Sequence, residues 1–181
     1  MAWTAEYCLR PYHPRSMCGE PNPTFCRSTD GRLLDFKEGR PDAIQAETDE
    51  FKKALQELEL PPGTILALMP GHEERSTNEG RPLARVVLAI AESDHRYVPM
   101  VDALIRTKSI LRRSTSAERS FVATVRSMRV TNPQSVKGTV VAVLDDTVTT
   151  GTSVAAARAL LLEAGATRVA AVALARTVKY F

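Results

Sequence analysis

Apolar and polar positions fall in blocks along this chain, and the block lengths predict alternating strands and helices. Val140–Leu144 is an unbroken apolar run, as in a strand buried on both faces of a parallel sheet. Val154–Ala164 is alanine-rich, polar only at Arg158 and Glu163, and reads as a helix stopped by Gly165. Arg168–Arg176 is another apolar strand. Upstream, Ile44, Phe51, Leu55 and Leu58 share one face at helical spacing and predict a helix over Asp42–Leu60. A capping-box pair, Asp42 and Gln45, opens it, and Pro61-Pro62-Gly63 ends it. Thr64–Met69 is a short strand, and Pro82 opens a helix whose core face carries Leu83, Val86, Val87 and Ile90. Tyr97–Ile105 and Val125–Val130 read as strands. Between them lie a basic loop, Arg106–Ser114, and a second capping-box pair, Thr115 and Glu118, that starts a short helix. Before residue 41 prolines 11, 14, 21 and 23 break up the pattern. There Thr24–Ser28 and Leu33–Lys37 predict a β-hairpin around the turn Thr29–Arg32.

Strands that alternate with helices imply a single α/β domain with a mostly parallel twisted sheet flanked by helices and joined by right-handed crossovers. Residues 42–181 form this α/β core, and residues 1–41 form a small β-rich, irregular hood beside it. Ligands of such sheets bind beyond the carboxyl ends of the strands. Met69-Pro70-Gly71 and Asp145-Asp146 both occupy such ends.

Composition narrows the class. A length of 181 residues supports one domain with a real core. The 44% hydrophobic and 25% charged content is that of a soluble globular protein. The balance of 24 basic and 21 acidic residues gives +3, too weak to imply nucleic acid by itself. No apolar run is long enough to span a membrane, and the N-terminus lacks the basic-then-apolar order of a secretory signal, so a cytoplasmic protein is expected. Cys8, Cys18 and Cys26 form no CxxC pair and suggest neither a disulfide framework nor a common zinc site.

The chemistry concentrates in VVAVLDDTVTTGTS, Val140–Ser153. An apolar strand runs into two carboxylates, and a hydroxyl-rich turn then feeds a helix. Unpaired amides at a helix N-terminus and the helix dipole favour a phosphate dianion. The hydroxyls of Thr149, Thr150, Thr152 and Ser153 can add donors, and Gly151 permits close backbone approach. Carboxylates beside a phosphate are repulsive unless they serve another group, and the vicinal hydroxyls of a sugar are the natural partner. The segment is not a P-loop, since no GK[ST] follows, nor a dinucleotide fingerprint, since GxGxxG is missing.

This fourteen-residue stretch resembles the signature by which type I phosphoribosyltransferases bind 5-phosphoribosyl 1-pyrophosphate (PRPP). Thr147 departs from it, standing where that family usually has an aliphatic residue. The resemblance implies the type I phosphoribosyltransferase fold. It also implies transfer of the phosphoribosyl group to a nitrogen acceptor, a nucleobase or related heterocycle, with release of pyrophosphate. Asp145 and Asp146 would hold the ribose hydroxyls, and Thr149–Ser153 the 5′-phosphate. Mg²⁺ would sit near the two acids, mainly on substrate and water, with no direct protein ligand. Pro70, Gly71 and His72 are similar to the family's pyrophosphate loop. Arg106, Lys108, Arg112, Arg113 and Arg119 fall where the family has a closing loop whose cations stabilise leaving-group charge, which implies a catalytic role for Lys108 and Arg119 and substrate binding for Arg106. The stretch Arg106–Arg129 carries seven basic residues and one acid, so a solvated face or a nucleic-acid patch stays open for it. From the Arg106 region to Arg176 the chain looks most like ComF-like members, although the CxxC zinc ribbon many of them carry is missing. Homodimers are common in the family. Two other roles remain open: a non-catalytic PRPP or nucleotide sensor, and a ComF-like accessory factor for DNA uptake. No general base stands out: Glu73, Glu74 and Asp102 are the nearest acids, and His13 and His95 have no partner at a telling spacing. Tyr180 and Phe181 follow the last strand, where a ring could stack on a base or pack on the core.

Overall fold

A computed structural model describes residues 6–17, 20–74, 77–110 and 120–178. Arg112, Arg113, Arg119, Cys18, Tyr180, Phe181 and the pair Thr115 and Glu118 lie outside the described residues. Nine strands and six helices follow in the order β1 (Glu6–Tyr12), β2 (Ser16–Met17), β3 (Glu20–Pro21), α1 (Gly31–Lys37), α2 (Pro41–Glu57), β4 (Thr64–Leu68), α3 (Pro82–Ser93), β5 (Tyr97–Pro99), β6 (Leu104–Arg106), α4 (Phe121–Arg126), β7 (Met128–Val130), α5 (Pro133–Val136), β8 (Val140–Val148), α6 (Thr152–Glu163) and β9 (Arg168–Thr177), counted among the described residues.

The main sheet has the order β1-β9-β8-β4-β5, and every ladder in it is parallel. β4 and β8 are neighbours whose chains then diverge, β4 through α3 to β5 and β8 through α6 to β9. Right-handed crossovers that leave in opposite directions must lie on opposite faces. Accordingly α1, α2 and α3 pack with Leu66, Leu68, Ala142, Leu144 and Val172 on one face. α6 and the β6–β7 ribbon pack with Ile65, Ala67, Val141, Val143 and Val169 on the other. The alternation along β4 and β8 explains why both read as continuous apolar runs, since both faces are covered. The divergence creates a crevice at the carboxyl ends of β4 and β8.

Several local expectations need correcting. Leu33–Lys37 is not a hairpin strand: Gly31–Lys37 is helical. Leu33 and Phe36, three residues apart and both fully buried, pack as one helical stripe, which strand geometry would place on opposite faces. Asp42 does not cap α2. Pro41 takes the first helical position after an extended Arg40, and Asp42 pairs with Arg40 at 3.0 Å. The stretch Tyr97–Ile105 is not one strand but two in different sheets, broken by a turn in which the Ala103 amide donates to the Met100 carbonyl. Val125–Val130 begins as the end of α4 and becomes strand at Met128.

β1 pairs with β9 at the edge of the main sheet, so residues 6–12 share a ladder with the core. The fully buried Glu47 of α2 fastens this edge, accepting from Arg10 of β1 and Arg32 of α1. Among the described residues, no helix is long and apolar enough to cross a membrane.

Candidate functional site

The crevice at the tips of β4 and β8 is a cleft of about 490 Å³. Its walls are the loop Met69–His72 after β4, the run Asp145–Thr149 with Gly151, Ser153 and Val154, and three cations, Lys37, Arg81 and Arg106.

β8 does not stop at Leu144. Asp145, Thr147 and Val148 continue the parallel ladder with Ala173, Ala175 and Arg176 of β9. The two acids are therefore held by a strand rather than by a loop. The Asp146 amide donates to Asp145 Oδ1 at 2.8 Å. Burial pushes the Asp145 carboxyl up to about 7, and the neighbouring Asp146 carboxylate adds to the rise. Arg81, the Asp146 amide and Lys37 oppose it. A cleft carboxyl raised by burial and by a second acid is the kind of group found at catalytic and binding sites.

Lys37, the last residue of α1, lies 3.6 Å from Asp146 Oδ1, donates to Thr147 Oγ1 at 3.1 Å, and sits over the Tyr12 ring. Sequence reading missed it because the hairpin expectation gave its side chain no direction. The helical spacing of Leu33 and Phe36 was the signal that would have placed it.

The turn after β8 is built around Gly151. Gly151 is the N-cap of α6 with φ 77°, a left-handed conformation that glycine adopts at little cost. Its carbonyl accepts the Ala155 amide, and the amides before Ala155 have no carbonyl of their own helix to bond. Thr149, Gly151 and Ser153 line the cleft. Thr150 and Thr152 do not: their hydroxyls bond each other at 3.0 Å. Thr149 Oγ1 is tied to Thr177 Oγ1 of β9 at 3.0 Å, which fixes the turn to the sheet.

Of the β4 side, Pro70, Gly71 and His72 reach the cleft as expected, and His72 Nε2 lies 3.6 Å from Glu73 Oε1. Arg106 also reaches it, but from a buried position in β6 rather than from a loop. It donates from Nε to the Gly71 carbonyl at 2.8 Å, from Nη1 to Ser127 Oγ at 2.5 Å and from Nη2 to the Pro70 carbonyl at 3.4 Å. Lys108 is not brought to the acids. It is exposed and borders a separate groove of about 440 Å³ with Ile110, Val122 and Arg126. Arg81, which sequence reading passed over as the residue before Pro82, donates to the Met69 carbonyl at 2.7 Å and to Asn78 Oδ1 at 3.4 Å. Asn78 is buried, and its amide nitrogen donates to the carbonyls of Val101 and Leu104. Asp102 is engaged by the Thr77 hydroxyl and the Asn78 amide, which gives it a structural task instead of a basic one.

Two acids, a helix-opening turn with unbonded amides and the cations Lys37 and Arg81 thus face one space, with the buried Arg106 bonded to the loop that walls it. This set can bind a polyanion that also carries vicinal hydroxyls. No group of three or more metal-ligating side chains occurs among the described residues. Two carboxylates nevertheless suit Mg²⁺, which keeps most of its waters and bridges substrate oxygens. Asp145 and Asp146 are the residues that would hold it, through its waters.

Compared with protein-family models and with curated proteins, the sequence matches none.

Proposed function

We propose that this chain is a PRPP-binding phosphoribosyltransferase with the type I phosphoribosyltransferase fold. It transfers the 5-phosphoribosyl group to a nitrogen of a nucleobase or related heterocycle and releases pyrophosphate. One observation carries the reading: Asp145 and Asp146, fixed in β8, share a cleft with the Gly151 turn that opens α6. In this reading the acids accept hydrogen bonds from the ribose hydroxyls, and Thr149, Gly151 and Ser153 surround the 5′-phosphate. The Met69–His72 loop receives the pyrophosphate. Breaking the glycosidic C–O bond builds positive charge on the ribose and negative charge on the departing group. The protein's part is to position the partners and to stabilise both charges. Mg²⁺ held near Asp145 and Asp146 would supply charge neutralisation for the departing group.

The test is PRPP turnover: pyrophosphate release in the presence of Mg²⁺ and a panel of nitrogen heterocycles. Release that depends on one acceptor supports the transferase. Saturable PRPP binding with no release against the whole panel supports a sensor that kept the site. Absence of PRPP binding removes both.

A further inference from the structure

The loop after β4 is held by two guanidinium groups, the buried Arg106 and the half-buried Arg81, which also borders the cleft. Arg81 holds the Met69 carbonyl, and Arg106 holds the carbonyls of Gly71 and, at longer range, Pro70. Three consecutive carbonyls are therefore drawn toward arginine side chains. In a trans peptide the amide N–H points opposite to the carbonyl of the preceding residue. No peptide among the described residues is cis. The Gly71 and His72 amides are consequently presented on the side away from those guanidinium groups. Successive amides that point one way form an anion-binding nest. Arg106 is itself fixed: Ser127 Oγ accepts from its Nη1 and donates to the Thr124 carbonyl at 2.7 Å. The β6–α4–β7 region is thereby connected to the cleft by one buried side chain.

We infer that Arg106 is a positioning residue that pre-organises the Gly71–His72 amides for the pyrophosphate group, with Arg81 as its counterpart at Met69. This rests on the phosphoribosyl reading and assigns its pyrophosphate selectivity to two guanidinium groups, of which Arg106 forks across two carbonyls. A fork that spans two carbonyls needs the planar guanidinium. A lysine would keep the charge but lose the paired geometry. The position therefore separates charge from shape.

The experiment measures the affinities of Mg²⁺-pyrophosphate and of ribose 5-phosphate separately, by calorimetry, for the wild type, Arg106→Lys and Ser127→Ala. Ribose 5-phosphate uses the Asp145 and Gly151 side of the cleft and reports whether that side is intact. The expected result for Arg106→Lys is a loss of roughly tenfold or more for pyrophosphate, the scale of one charge-assisted hydrogen bond, with ribose 5-phosphate nearly unchanged. Ser127→Ala, which frees the guanidinium without touching its charge, should show a smaller loss of the same selectivity. Turnover should fall with the pyrophosphate affinity. Pyrophosphate binding by Arg106→Lys equal to the wild type overturns the inference, because charge alone then suffices. So does a parallel loss of both ligands in Ser127→Ala at unchanged melting temperature, since the effect would then not be local to the loop. A wild type that binds neither ligand is a different failure, that of the phosphoribosyl reading itself.

Discussion

Asp145 is held where a carboxylate is unwelcome, walled by the sheet and set beside a second acid. Burial, with the Asp146 carboxylate, pushes its carboxyl up to about 7. The consequence for stability has a definite sign. An acid whose value rises on folding keeps its proton in the native state after the unfolded chain has lost it. Stability is therefore full below about pH 4, erodes as pH rises toward about 7, and stays reduced above it. Asparagine cannot ionise, so Asp145→Asn should flatten this dependence. Melting curves of the ligand-free protein should show the variant above the wild type at pH 8 and close to it at pH 4. A variant that melts below the wild type at pH 8 would mean that the ionised form is well solvated. The same substitution should weaken PRPP binding by roughly tenfold or more, since it removes a charged acceptor of sugar hydroxyl bonds. Greater stability with less binding is the pattern of an acid kept for function.

The turn between β8 and α6 is where local conformation matters most. Gly151 has φ 77°, and a side chain there costs about 1–2 kcal/mol. Gly151→Ala should lower the urea midpoint by a corresponding amount and weaken ribose 5-phosphate. An unchanged midpoint would show that the turn relaxes freely. Elements of this kind were legible in the sequence because their signals are local: an apolar run, two acids, a glycine and an alanine-rich helix. Lys37, Arg81 and Arg106 were not legible as a set. Each owes its place to contacts between segments far apart in the chain, which no window of sequence contains. The hairpin expected over Thr24–Lys37 failed for a related reason. Of its expected turn, Thr29 and Asp30 do form a turn, but Gly31 and Arg32 open α1, and Leu33 and Phe36 answer to a core that asks for helical spacing. Lys108 and Arg106 were both read as loop cations, yet one is exposed on a separate groove and the other is buried in β6.

On the scale of the whole molecule, the expected parallel α/β sheet is present, and the cleft falls where β4 and β8 diverge. The N-terminal segment takes part in that architecture. β1 completes the sheet beside β9, Glu47 ties β1 and α1 to α2, and Lys37 brings α1 to Asp146. A chain lacking residues 1–41 should therefore lose cooperative thermal unfolding, with the apolar surface that covers Leu33 and Phe36 exposed. A sharp melt from that truncated chain would show the core to be independent. The central claim is that a pair of strand-borne acids and a helix-opening turn together hold a phosphorylated pentose. Calorimetric titration of the full chain with PRPP and Mg²⁺, beside an Asp145→Asn/Asp146→Asn double variant, tests it most directly. Saturable binding of one PRPP per chain, lost in the double variant while its fold persists, is the predicted result; no binding by the wild type, or equal binding by both proteins, would contradict it.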